Sequence, residues 1–196
     1  MTQENDRNLM DAYRRGETGA FETLVRRHGG AVLGYLVKMT RNKNQADDLF
    51  QETFKKVHEN ASRFKGDNLR PWMFKIATNA AVNRWRKEKK HPTVSLSQST
   101  CEDGEHCPTL AATIPADTPT PNEDLQLQEK RQQVRTALAA LPTQQRAALI
   151  LNYYHQLTYK QIAESLDCSV GTVKTHIFRA LKKMATVLPN PAGGVE

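Results

Sequence analysis

The stretch from Leu157 to Met184, LTYKQIAESLDCSVGTVKTHIFRALKKM, sets Lys174, Thr175, Phe178, Arg179, Lys182 and Lys183 at helical spacing. Beside them Val173, Ile177 and Leu181 repeat every fourth residue and are expected to form the buried face. Such a helix has the chemistry of a major-groove reader. Lys174 and Arg179 can donate to guanine edges or phosphates, Thr175 can bond a base or a phosphate, and Phe178 can pack on a sugar or a thymine methyl. The segment before it opens on Thr158, and Gln161 three residues on can close a capping box. Ile162, Ala163 and Leu166 form its inward stripe, and Asp167-Cys168-Ser169 ends on a hydroxyl suited to start the second helix. The pattern predicts a helix-turn-helix.

Other groups with chemical potential are sparse. Cys101, His106 and Cys107 gather two thiols and an imidazole in a Pro- and acid-rich stretch. Their spacing is not that of a zinc knuckle, and a fourth ligand would have to come from elsewhere, His91 being the nearest in sequence. Cys168 reads as a packing residue. No phosphate-cradling glycine motif, nucleophile elbow or supported carboxylate pair is present, so no catalytic residue, metal or cofactor is expected. The chemistry is that of binding.

Charge points the same way. The net charge is +7, but it is segregated. Residues 1–90 hold 19 Lys/Arg against 11 Asp/Glu, residues 91–129 hold none against 7, and residues 130–196 hold 9 against 3. Two basic blocks flank an acidic strip, and basic blocks favour a polyanion through counterion release. No apolar run reaches the ~18 residues of a membrane span, and the polar N-terminus lacks the apolar centre of a signal peptide. Three cysteines, an odd number, suit a reducing compartment. A cytoplasmic protein is expected.

The elements that position these groups read as all-α. Leu9, Met10 and Tyr13 mark a first helix ending at Gly16; Phe21, Leu24 and Val25 mark a second that is expected to break at Gly29-Gly30. Val32 to Met39 reads as a third, and Asn44 to about Asn60 as a fourth. Pro71 sits where proline opens a helix, with Trp72, Ile76, Ala77, Ala80, Ala81 and Trp85 as the inner face of a fifth. Five of the nine prolines fall between residues 91 and 122, among Ser, Thr and acids. That stretch is expected to be an extended linker reaching up to ~100 Å. The expected organisation is thus a helical bundle over 1–90, a linker over 91–122, a second helical domain over 123–188 and a disordered tail over 189–196.

Two motif blocks now bring a family into view. One is Ala46-Asp47-Asp48-Leu49-Phe50-Gln51-Glu52-Thr53-Phe54 followed by Pro71-Trp72-Met73-Phe74-Lys75-Ile76-Ala77; the other runs from Leu141-Pro142 through Met184. In this order, with a linker between, the chain resembles an extracytoplasmic-function sigma factor of the bacterial RNA polymerase sigma-70 family over residues 5–188. The resemblance implies a region 2 bundle that binds core RNA polymerase and the minus-ten element, and a region 4 helix-turn-helix that binds the minus-thirty-five element. It implies core-polymerase contacts at Asp48, Gln51 and Glu52, although Asp47 and Asp48 would also suit a helix N-terminus. It implies minus-ten contacts at Arg63, Lys65 and Asn68, in a loop that holds a flipped base, and at Lys75, Asn79, Asn83, Arg84, Arg86 and Lys87. For the minus-thirty-five duplex it implies Thr172, Lys174, Thr175, His176, Phe178, Arg179, Lys182 and Lys183. Asn83 stands where the family often has Asp, and His176 where it usually has Arg. Trp72 and Trp85 resemble stacking platforms, but their spacing places them in the core.

Promoter DNA and core RNA polymerase are the expected partners; an anti-sigma factor is a further expectation of the family. The acidic linker is expected to mimic nucleic acid inside a basic polymerase channel. Three alternatives stand beside this reading: a stand-alone helix-turn-helix regulator of the response-regulator type, a zinc or thiol sensor built on Cys101, His106 and Cys107, and an RNA-binding adaptor. The first requires a strand-and-helix receiver in residues 1–90, where no strand pattern is visible. The last lacks the aromatic sheet motifs of RNA readers.

Overall fold

The computed structural model describes residues 2–64, 66, 68–90 and 121–188. Lys65, the 91–120 stretch with Cys101, His106 and Cys107, and the 189–196 tail lie outside the described residues. Those described form eight α-helices and one 3-10 turn, and none is a strand. The first four helices are α1 (Thr2–Arg14), α2 (Thr18–Thr40), α3 (Lys43–Glu59) and α4 (Leu69–Lys90), with the 3-10 turn Ala61–Arg63 between α3 and α4. The second four are α5 (Pro121–Ala139), α6 (Thr143–Tyr153), α7 (Tyr159–Leu166) and α8 (Val170–Val187). No helix among the described residues is long and apolar enough to cross a membrane.

Gly29-Gly30 does not break the chain; α2 runs unbroken across it. A helical glycine costs about 1 kcal/mol against alanine. Leu24, Val32, Tyr35 and Leu36 are all buried on the same helix. Each fully buried side chain of that size contributes about 1.5–3 kcal/mol, so packing outweighs propensity. Gly29 also has a packing reason: a Cβ there would lie 3.4 Å from the Phe50 ring. Gly29 marks a close approach of α2 and α3, and Gly30 faces open space.

Local signals set the other helix starts: α3 opens at Lys43, one residue ahead of the expected Asn44, and α4 at Leu69, two ahead of Pro71. Asn42 caps α3, its side chain accepting from the Gln45 amide at 3.1 Å. Thr158 accepts from the Gln161 amide at 3.3 Å while the Gln161 side chain accepts from the Thr158 amide at 2.9 Å, the reciprocal box predicted for α7. Ser169 caps α8 by accepting from the Thr172 amide at 3.1 Å.

One continuous core runs through both groups of helices. Tyr35 of α2 and Phe74 of α4 are fully buried, their rings 5.3 Å apart and edge-on, and the Tyr35 hydroxyl bonds Thr78 at 2.6 Å. The second group packs on the first along two seams, α7 against α4 and α6 against α2. Arg146 joins them at one end, donating to the Met39 carbonyl at 2.8 Å; Ser165 donates to the Pro71 carbonyl at 3.0 Å at the other.

Candidate polymerase and promoter interfaces

In α3, Ala46, Leu49, Thr53, Phe54 and Val57 turn inward. That leaves Asp48, Gln51 and Glu52 exposed on the far side, three and four residues apart. Because α3 begins at Lys43, Asp47 and Asp48 are its fifth and sixth residues, beyond the first turn where the helix dipole attracts acids. The N-terminal explanation for this acidic pair therefore has no footing. Glu52 pairs with Lys56 at 2.6 Å and Asp48 with Arg84 of α4 at 3.6 Å. Both pairs are solvent-exposed, so each holds its partner by less than about 1 kcal/mol and can be exchanged for an external contact.

Along α4, Lys75, Asn79, Asn83 and Arg86 recur every three or four residues and form one ridge, with Lys87 exposed beside it. Asn79, Asn83 and Arg86 are exposed, while Lys75 is half-buried and ion-paired with Asp167 at 3.1 Å. Trp85 departs from the sequence reading: it is 45 % exposed, whereas Trp72 is half-buried with its ring 5.1 Å from Phe64. Trp85 lies past the last buried residue of α4, Val82, where the helix outruns the bundle beneath it.

The loop between α3 and α4 has a support that sequence spacing did not mark. Arg14, the last residue of α1, donates twice to the Ala61 carbonyl, at 2.9 and 2.6 Å, and once to that of Phe64. This fixes the turn that carries Arg63. At the other end Asn68 accepts from the Arg70 amide at 3.3 Å, anchoring the start of α4. Asp6 of α1 is 4 % exposed; it binds Arg27, and His28 at 2.8 Å, tying α1 onto α2.

On α8 the buried face is Val173, Ile177 and Ala180, with Met184 half-buried. Leu181 was expected inside and is 53 % exposed. At 100° per residue, Leu181 has rotated about 80° from Val173 while Ala180 lies within about 20° of it. A strict spacing of four drifts off the face. Lys174, Thr175, Phe178, Arg179 and Lys182 are exposed, as a groove-reading surface requires. His176 is half-buried; burial first, then Arg179, hold its pKa below the usual imidazole value. This favours the neutral ring, and its Nδ1 is buried without a hydrogen-bond partner among the described residues. The Lys183 ammonium donates to the Ala140 carbonyl at 2.7 Å, which closes the end of α5.

Arg146 also went unmarked in the sequence. Besides Met39, its guanidinium serves the carbonyls of Leu138 at 2.9 Å, Ala139 at 2.7 Å and Leu141 at 3.1 Å. It gathers the end of α5 and the end of α2 around one cation. The only sequence hint is an arginine directly before the apolar run Ala147 to Leu151. No cluster of His, Cys, Asp or Glu suited to a metal occurs among the described residues.

Comparison with known proteins identifies the family. The family model described as Sigma-70 region 2 matches residues 24–91, and that described as Sigma-70, region 4 matches residues 131–184. RNA polymerase sigma-H factor of Pseudomonas aeruginosa is 33% identical over 181 residues, covering 92% of each chain. The ECF RNA polymerase sigma-E factor of Escherichia coli is 32% identical over 180 residues, covering 91% of each. The fold is shared with CnrH, solved with the cytosolic domain of CnrY, at a TM-score of 0.65 and 23% identity over 93% of this chain and 96% of that one. It is shared also with RpoE of Bartonella quintana, solved with the anti-sigma factor NepR, at 0.64 and 22% over 87% and 98%. With both sigma regions matched in order and full-length relatives at this identity, the chain belongs to the sigma-70 family, as an extracytoplasmic-function RNA polymerase sigma factor.

Proposed function

We propose a division of labour within this sigma factor in which α3 docks core RNA polymerase, α4 holds the opened minus-ten strand, and α8 reads the minus-thirty-five duplex. Asp48, Gln51 and Glu52 are the polymerase contacts. Arg63 and Asn68 of the loop join Lys75, Asn79, Asn83, Arg84, Arg86 and Lys87 of α4 as the minus-ten set. Asn amides hydrogen-bond base edges, and the cations at the end of α4 hold phosphates. On α8, Lys174, Thr175, Phe178, Arg179 and Lys182 lie across the groove, Thr172 and His176 add neutral contacts at its rim, and Lys183 is shared with the α5 carbonyl. Two windows, 1–90 and 123–188, carry the two DNA contacts. RNA synthesis belongs to the polymerase, and the protein works in the cytoplasm beside the chromosome.

The observation that carries this reading is the sidedness of α8: Val173, Ile177 and Ala180 buried, and a Thr, Lys and Arg surface facing out. The same helix exposes Val170, Phe178 and Leu181. An anti-sigma factor is the protein partner we assign to that apolar stripe; CnrH and the Bartonella quintana protein are each solved with a partner of their own.

Co-elution with core RNA polymerase and run-off transcription on a promoter library test the assignment. Asp48→Arg is expected to weaken core binding at least tenfold, about 1.4 kcal/mol. Arg179→Ala should keep core binding and lose promoter-dependent transcript. A wild-type chain that neither co-elutes with core polymerase nor supports any promoter-dependent transcript would refute the function.

A further inference from the structure

Elements named minus-ten and minus-thirty-five are centred about 25 base pairs apart, roughly 85 Å of duplex at 3.4 Å per step. In this structure the two reading surfaces are neighbours. α7 lies directly on α4, and α8 is the next helix beyond it, a separation of about two helix diameters or 20–25 Å. The seam also occupies one of the minus-ten cations, since Lys75 pairs with Asp167 in the helix-turn-helix turn at 3.1 Å. No duplex can be held at both elements by this arrangement. The 30 residues between Lys90 and Pro121 have a contour length of about 100 Å, enough for the halves to part without breaking either.

At the centre of the seam stands His155, from the turn between α6 and α7. It is buried, with its ring 4.8 Å from that of Phe74 on α4 and 6.0 Å from that of Tyr35 on α2. Its Nε2 is buried without a hydrogen-bond partner among the described residues. The groups that face it are the Tyr35 phenol and Lys38 from α2 and Arg70 from α4; Lys38 also sits 4.7 Å over the ring of Tyr154, the residue before His155. Both charges acting on it are positive. The nearby carboxylate of Asp6, which acts on Arg70, is engaged with Arg27 and His28.

We infer that the packed halves are a closed, latent state of the factor and that His155 is its latch, holding the helix-turn-helix on α4 only as a neutral ring, so that acid frees both DNA-reading surfaces. This regulation rests on the assignment of α4 and α8 as promoter contacts. Burial first, then Arg70 and Lys38, lower the His155 pKa from 6.5 to about 4 in the closed state. A ring depressed in this way binds fewer protons closed than open. Closure is therefore at full strength above pH 6.5 and weakens as pH falls, up to tenfold per unit, until about pH 4. Between pH 7.5 and 5.5 the opening constant rises about tenfold. His28 and His176 are also held low, but neither faces His155: His28 lies against Asp6 between α1 and α2, and His176 beside Arg179 on α8.

Ser165 reports on opening, because its side chain is buried against Pro71 and is uncovered only when the halves part. The test uses the full chain with Cys101→Ser, Cys107→Ser, Cys168→Ser and Ser165→Cys. Labelling by a pyridyl disulfide is normalised at each pH to the same chain carrying an exposed cysteine at Gln144→Cys in place of Ser165→Cys. The normalised rate is expected to rise about tenfold from pH 7.5 to 5.5, and to become flat when His155→Gln or His155→Phe is added, whatever its absolute value. A flat wild-type ratio, or an equal rise in both His155 variants, overturns the latch. Co-elution with core polymerase, measured alongside, separates the two claims. A flat ratio with normal co-elution removes the latch alone; an acid-dependent ratio without co-elution leaves the closed state standing and removes its promoter role.

Discussion

Replacing Arg146 with alanine is the sharpest test of how the second four helices are held. The guanidinium makes four hydrogen bonds, three to the carbonyls that end α5 and one to Met39 of α2. A hydrogen bond from a charged donor contributes about 1.5 kcal/mol at the low end of its range. The low end applies because the side chain is half-buried and water can reach part of what it leaves. Four such bonds on one group are not additive, so Arg146→Ala is expected to destabilise the full chain by about 3 kcal/mol, of which about half belongs to the Met39 bond. That is a large share of a total of about 5–15 kcal/mol. With a urea slope of about 2 kcal/mol per molar, the midpoint should fall by about 1.5 M. Arg146→Lys, a point charge without the planar fork, should recover less than half of the loss. Chemical denaturation followed by helix circular dichroism reads both values. A shift below about 0.5 M for alanine, or a lysine variant equal to wild type, would show that the carbonyls are satisfied without the guanidinium.

Three further substitutions have expected outcomes. A Cβ at Gly30 meets nothing within 4 Å, so Gly30→Ala should stabilise α2 by about 0.4–1 kcal/mol. Gly29→Val should instead press on Phe50 and lower the melting temperature. Lys182→Ala should weaken minus-thirty-five binding alike on all sequences and reduce the slope of log affinity against log salt by about 0.9, one phosphate contact. A sequence-dependent loss by titration on mismatched duplexes would make Lys182 a base reader.

Much of the candidate site was legible because it depends on local rules. The capping box at Thr158 and Gln161 and the Ser169 cap are decided within four residues of chain and stand where the spacing put them, as do Ile162 and Ala163 of the inward stripe; Leu166 is half-buried and Ser165 is buried beside them. The exposed acids of α3 follow from a single apolar periodicity. Where that rule was stretched it failed. Leu181 left the buried face because 3.6 residues per turn do not return every fourth residue to the same angle. Trp85 is half-exposed because burial depends on where a neighbouring helix stops, which no helix records in its own sequence.

The all-helical class, the caps at Thr158 and Ser169, the two basic blocks and the outward face of α8 were determined by the sequence alone, through periodicity and charge. Only the tertiary structure decided that α2 passes through Gly29-Gly30, since the Phe50 ring that fits against Gly29 comes from another helix. It alone decided that Arg14 secures the loop before α4 and that Arg146 and His155 join the two halves. Those contacts link residues 47, 107 and 81 positions apart in the chain. Hydrogen-bond and packing energies act over a few ångströms of space, and residues so far apart in the chain leave no shared period by which sequence could pair them.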